Sequence, residues 1–122
     1  RRSSDLHWSD NIKTEMGELI DRLDDKEWDK LSKIWKDQRP PWQSKLAEAA
    51  FLSDQPRVIP LLVSMLRTES SAVGAAVART LVEKEYFWDP SNDLIPDIKR
   101  LLDKATIHEK NDLLALLKRL PH

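Results

Sequence analysis

The chain predicts an all-α fold: a short superhelical stack of about seven antiparallel helices, forming one domain over residues 1–122. Three observations lead there. First, the stretch from Arg57 to Leu120 is one unit written twice. Slid by 36 positions without a gap, Val58-Ile59-Pro60-Leu61-Leu62 falls on Leu94-Ile95-Pro96-Asp97-Ile98. Leu66 then falls on Leu102, Val77 on Leu113 and Leu81 on Leu117. Such a self-match marks a helical repeat, in which each helix pair buries its apolar face against the next pair. Second, apolar residues recur at spacings of three and four, the period of a helix face. Third, two glycines and seven prolines are the punctuation of helices joined by short, stiff connections, not of a sheet.

The elements follow in order. Residues 1 to 8 read as a frayed start, with Leu6 and Trp8 able to tuck against the body. Ser9 or Asp10 caps a first helix, whose face is Ile12, Met16, Leu19, Ile20 and Leu23. Asp24 or Asp25 ends it and caps a second helix. That helix has Trp28, Leu31, Ile34 and Trp35 on one side and Lys26, Lys30, Lys33 and Lys36 on the other. Pro40-Pro41 stops it, because proline lacks the donor and disfavours a helical residue before it. Trp42 opens a third helix, with Leu46, Ala49 and Ala50 below. A fourth, about 57 to 67, is apolar almost all round and is expected to be central. Ser70 or Ser71 caps a fifth, which carries Val73, Ala76, Val77 and Leu81. Its alanines and glycine imply close packing. After the longest loop, Glu85 to Asn92, Ser91 or Asn92 caps a sixth helix with Leu94, Ile98, Leu101, Leu102 and Ala105. Thr106 caps a seventh with Leu113, Leu116, Leu117 and Leu120. Pro60 and Pro96 sit near helix starts, where the missing N–H costs little.

Composition narrows the function. With 20 Lys plus Arg against 21 Asp plus Glu, the chain has no basic excess for phosphate neutralisation, which argues against nucleic acid as partner. No cysteine is present, so there is no disulfide framework and no thiolate metal site. This fits a reducing compartment, and a cytoplasmic location is expected. No apolar run approaches the length of a membrane span. The chain opens on Arg, not Met, as a processed or trimmed product would.

The chemistry-bearing residues form no recognisable catalytic pattern. His7, His108 and His122 have no Ser, Cys or second His at a productive spacing, and His108-Glu109 lacks the second His of a zinc-protease helix. Asp21, Asp24 and Asp25 lack the glycine-containing pattern of a calcium loop and read as helix caps. No Gly-rich phosphate loop occurs. The chain is expected to be no enzyme and to use no cofactor and no metal.

Tryptophan is the compositional anomaly, at five in 122 residues. Trp28 and Trp35, seven apart, read as core. Trp42, after two prolines, is placed equally well in the core or on the surface. Three successive aromatics at Tyr86-Phe87-Trp88 cannot all point inward from an interhelical loop. Aromatics rimmed by charge are typical binding anchors, and Glu83, Lys84, Glu85, Asp89 and Asp93 supply the rim. In a stack of helix pairs the second helices line one surface, which here carries Arg79, Glu83, His108, Asn111, Asp112, Lys118 and Arg119. Its mixed sign suits a protein partner. The candidate partner-binding residues are therefore Trp42, Arg79, Glu83, Tyr86, Trp88, Asp89, Asp93, His108 and Asp112.

The pair at Val58–Leu81, with its proline, Leu-Leu and small-residue second helix, resembles a HEAT repeat, and Leu94–Leu117 resembles a second. The arginine and aspartate expected between the helices of a good HEAT repeat are missing, so the likeness is to the degenerate members. Glu27-Trp28, Leu31, Trp35, Arg39-Pro40-Pro41-Trp42-Gln43 and Leu46-Ala47-Glu48 resemble small bacterial HEAT-like proteins. Several of those are immunity proteins that neutralise a toxin domain delivered by a neighbouring cell, in contact-dependent growth inhibition and similar toxin–antitoxin rivalries. The resemblance implies a HEAT-like α-α superhelix that occludes a cognate toxin domain. Two alternatives remain: a scaffold or adaptor piece of a longer HEAT-type protein, and an enzyme acting on nucleic acid. HEAT-like DNA glycosylases share the helix stack, but are about twice as long and have a basic groove.

Overall fold

Three helix starts among the described residues are set by side chains, those of Asp24, Ser70 and Thr106, that accept from the free N–H groups of a first turn. The structure, a computed structural model, describes residues 20–53, 55–84 and 92–120. Among these it is all-helical, with six α-helices and no strand: α1 (Asp25–Ile34), α2 (Pro40–Ala50), α3 (Val58–Met65), α4 (Ser71–Glu83), α5 (Ile95–Leu102) and α6 (Ile107–Arg119). Short 3-10 helices at Trp35–Asp37 and Asn92–Leu94 close α1 and precede α5. These six correspond to the second to seventh expected helices. Of the expected first helix only Ile20 and Asp21 are described, and both are helical.

Asp24 caps α1 and forms a reciprocal box with Glu27, at 2.8 and 3.0 Å. Thr106 and Glu109 do the same for α6, at 3.3 and 2.9 Å. Ser70 caps α4 through Val73 N. The two caps Ser70 and Thr106 are related by the 36-residue shift. Two expected boundaries change. Pro40 and Pro41 do not merely stop α1; they are the first turn of α2, which has no side-chain cap. Two residues without N–H leave little there to cap. At α5 the start is a 3-10 turn beginning at Asn92, and α5 itself has no side-chain cap.

The core gathers around α4, not around α3 as its all-apolar sequence suggests. On α4 only Ala72, Arg79 and Glu83 are exposed, whereas Pro60 of α3 is open and Ile59 and Val63 are half-buried. Helix α4 packs most extensively on α6 and α2, and also meets α3 and α5. Its small residues permit this. A methyl group added at Gly74 would lie 2.6 Å from Leu101 Cδ1 of fully buried α5 packing. Of the residues paired by the repeat shift, Met65 with Leu101, Leu62 with Ile98, and Val77 with Leu113 are each fully buried, whereas Leu66 and Leu81 are buried and their counterparts Leu102 and Leu117 only half-buried.

Polar links join each pair to the next about one repeat away. Thr80 Oγ1 donates to Ala47 O of α2 at 3.0 Å. Arg100 of α5 donates to Thr68 O and Leu66 O at 3.0 and 3.1 Å, satisfying carbonyls that end α3. Ser71 Oγ donates to Glu109 Oε1 at 2.7 Å, linking the starts of α4 and α6.

Two outcomes are expected. Gly74→Val should lower stability by about 1–3 kcal/mol by overpacking Leu101, read by denaturant unfolding. Ser71 first, then the Thr106 N–H, holds the Glu109 carboxyl below its ordinary value. A depressed carboxylate stabilises the fold above its unfolded value, and that stabilisation is lost as pH falls through the folded one. The stability difference between the native chain and Glu109→Gln should therefore be greatest at neutral pH and disappear well below pH 4.5. Urea midpoints across pH 3–7 check this.

Candidate functional site

A concavity lies between α1 and α3, both first helices of their pairs, apart from the second-helix face on which the sequence places the candidate residues. It is a groove of about 560 Å³. Its apolar lining is Trp35, Pro40, Pro60 and Leu61. The buried Gln43 sets one wall: its Nε2 donates to Trp35 O at 3.0 Å and to Gln38 O at 2.9 Å. These bonds hold the turn that carries the chain from α1 into the prolines of α2. The other wall is α3 and the turn Thr68-Glu69-Ser70 that leads into α4.

The rim is charged. Lys36, Arg57, Arg67 and Glu69 line the groove. Arg57 reaches back to α1, 2.8 Å from Asp29 and 3.1 Å from Asp25, with its guanidinium carbon 6.0 Å from the Trp28 ring centroid. Asp29 and Asp25 raise its pKa, so this group keeps its charge at any working pH. Glu69 lies 3.1 Å from Lys104 and 3.4 Å from Arg100. Lys104 first, then Arg100, holds its carboxyl below the usual range. Lys36 and Arg67 are exposed and form no ion pair with a described residue. The hydroxyls are largely used within the chain: Ser32 donates to Trp28 O, and Ser64 to Leu61 O.

The sequence-derived candidates distribute as follows. Arg79 of α4 and Asp112 of α6 come together, 3.8 Å apart. Glu83 and His108 are exposed near them in sequence, one turn on along α4 and one turn back along α6. Asp93 is exposed in the 3-10 turn before α5. Trp42 is half-buried and packs on the core, so it takes neither extreme. Trp28 and Trp35 are buried as expected. Tyr86, Trp88 and Asp89 lie outside the described residues. Lys84 departs from its expected place in the charged rim. It is 6% exposed, and its Nζ donates to Ser53 O at 2.6 Å, 5.9 Å from the Phe51 ring centroid. Ser53, itself buried, donates onward to Asp21 at 2.6 Å. Ser53 and Lys84 thus tie Asp21, the turn after α2 and the end of α4.

Sequence reasoning missed the groove. Its one-dimensional trace is an apolar helix bracketed by arginines, Arg57 and Arg67, next to a Gln-Arg-Pro-Pro turn. Among the described residues no three His, Asp or Glu side chains gather as a metal-binding group, and no helix is long and apolar enough to cross a membrane. Compared with known proteins, the chain matches no family model, no curated protein and no solved structure.

Lys84→Ala should lower stability by about 1–3 kcal/mol, because Ser53 O is left buried without its charged donor. Thermal unfolding measures it.

Proposed function

We propose that this chain is a non-catalytic protein-binding module, and in its specific form a cytoplasmic bacterial immunity protein that neutralises a cognate toxin domain by covering it. The observation that carries the reading is the groove between α1 and α3, open, partly apolar and edged by Lys36 and Arg67, which form no ion pair with a described residue. A stack of helix pairs supplies a rigid frame for such a surface, and a rigid frame binds at low entropic cost. The specific form rests on the HEAT-like resemblance of Val58–Leu117 and of the Trp-Pro positions before it. Occlusion needs no catalytic group: aromatics at Trp42, Tyr86 and Trp88 fill a pocket, while Arg79, Glu83, Asp89, Asp93, His108 and Asp112 meet toxin charges. The near-zero net charge disfavours a nuclease toxin, whose inhibitors tend to mimic acidic substrate.

A second reading, a HEAT-type adaptor piece, is favoured by one observation. Ile107 and Leu114, seven apart on α6, are 73% and 41% exposed. A further helix pair stacked there would cover them.

The test is affinity capture from the source organism with mass spectrometry. The expected result is one stoichiometric protein bearing a toxic domain, whose toxicity co-expression of this chain abolishes. Retention of housekeeping subunits instead would replace immunity with the adaptor reading, and capture of nucleic acid alone would sink both.

A further inference from the structure

We propose that the groove between α1 and α3 takes an acidic, partly apolar segment of a protein partner, with Lys36 and Arg67 as its carboxylate anchors. The inference deepens the binding-module reading and rests on it.

Charge complementarity identifies the occupant. On the second-helix face Arg79 already faces Asp112, 3.8 Å away. In the groove two cations have no such counterpart among the described residues. Of its four charged lining residues, Glu69 is covered by Lys104 and Arg100, and Arg57 is engaged by Asp25 and Asp29. What remains is two positive groups, Lys36 and Arg67, on opposite walls, one after α1 and the other after α3. A carboxylate is the side-chain group that meets an exposed guanidinium two-pronged and an ammonium as a point charge. Between the anchors lie Trp35, Pro40, Pro60 and Leu61, which offer apolar contact to residues flanking the carboxylates. The polar side chains that line it mostly spend their donors on backbone carbonyls of this chain. Orientation of a ligand thus falls to the two cations. A nucleic-acid strand fits worse. Two unengaged cations neutralise few phosphates, and the chain as a whole carries a net charge of −1.

A phage-displayed random dodecapeptide library, panned on the whole chain, tests this. The double variant Lys36→Glu, Arg67→Glu serves as comparison. Both residues are exposed and make no ion pair with a described residue, so its melting temperature should match the native one; each single variant is held in reserve should it not. The expected result is enrichment of peptides with Asp or Glu beside apolar residues, whose affinity falls about tenfold or more on the double variant and weakens with salt. Amide shifts on binding should centre on Lys36, Ser64, Arg67 and Ser70. Peptides without acidic bias, acidic peptides that bind both proteins equally, no enrichment at all, or displacement by oligothymidylate at lower concentration would each overturn the proposal. The two readings fail separately. A captured protein partner whose affinity is unchanged by the double variant removes the groove assignment and leaves the binding module standing.

Discussion

The approach of α4 to its neighbours is the constraint on which the structure depends. A helix can be enclosed on several sides only if its side chains leave room for other backbones. Gly74, Ala75, Ala76 and Ala78 do so, and all four are buried. Larger residues on the partners fill the remaining space: Leu101 over Gly74, with Leu113 and Leu116 of α6 buried beside Val77 and Leu81. This division into a small-residue centre and large-residue surroundings allows close packing without strained rotamers. It also fixes the second helices α2, α4 and α6 against one another. The first helices, by contrast, meet through longer side chains, and space remains between α1 and α3.

That asymmetry explains what was legible in the sequence. Helix existence and type were legible because the apolar spacing and the caps Asp24, Ser70 and Thr106 are local signals, read within four residues. The repeat was legible only in part: Val77 and Leu113 are both fully buried, while Leu102 and Leu117 are less enclosed than their counterparts Leu66 and Leu81. Centrality was not. The fourth expected helix has the more apolar sequence, yet the helix with more alanine is the enclosed one. Hydrophobicity measures the gain on burial, while side-chain size decides how many neighbours can approach. Lys84 misled for a related reason. A lysine next to acidic residues reads as solvated, but its long stem carries the ammonium to a carbonyl, Ser53 O, left unused where a distant turn ends.

Function was less legible than fold. The mixed-charge second-helix face was read from spacing, and its charges are where spacing puts them. Whether such charges are engaged is a three-dimensional property, and Arg79 with Asp112 cannot be told from Lys36 or Arg67 in one dimension. A groove formed by residues about thirty positions apart has no contiguous signature. The immunity reading therefore stands on resemblance together with a groove that resemblance did not foretell.

Arg57 has a further consequence. Its guanidinium fastens α3 to two carboxylates of α1 and at the same time lines the space between those helices. Any anion that comes within reach must share that guanidinium with Asp25 and Asp29. Occupancy and the grip on α1 are then thermodynamically linked, so that each weakens the other by the same factor. The same guanidinium thus serves two purposes at once, as a contact between two helices and as part of the wall of the groove between them.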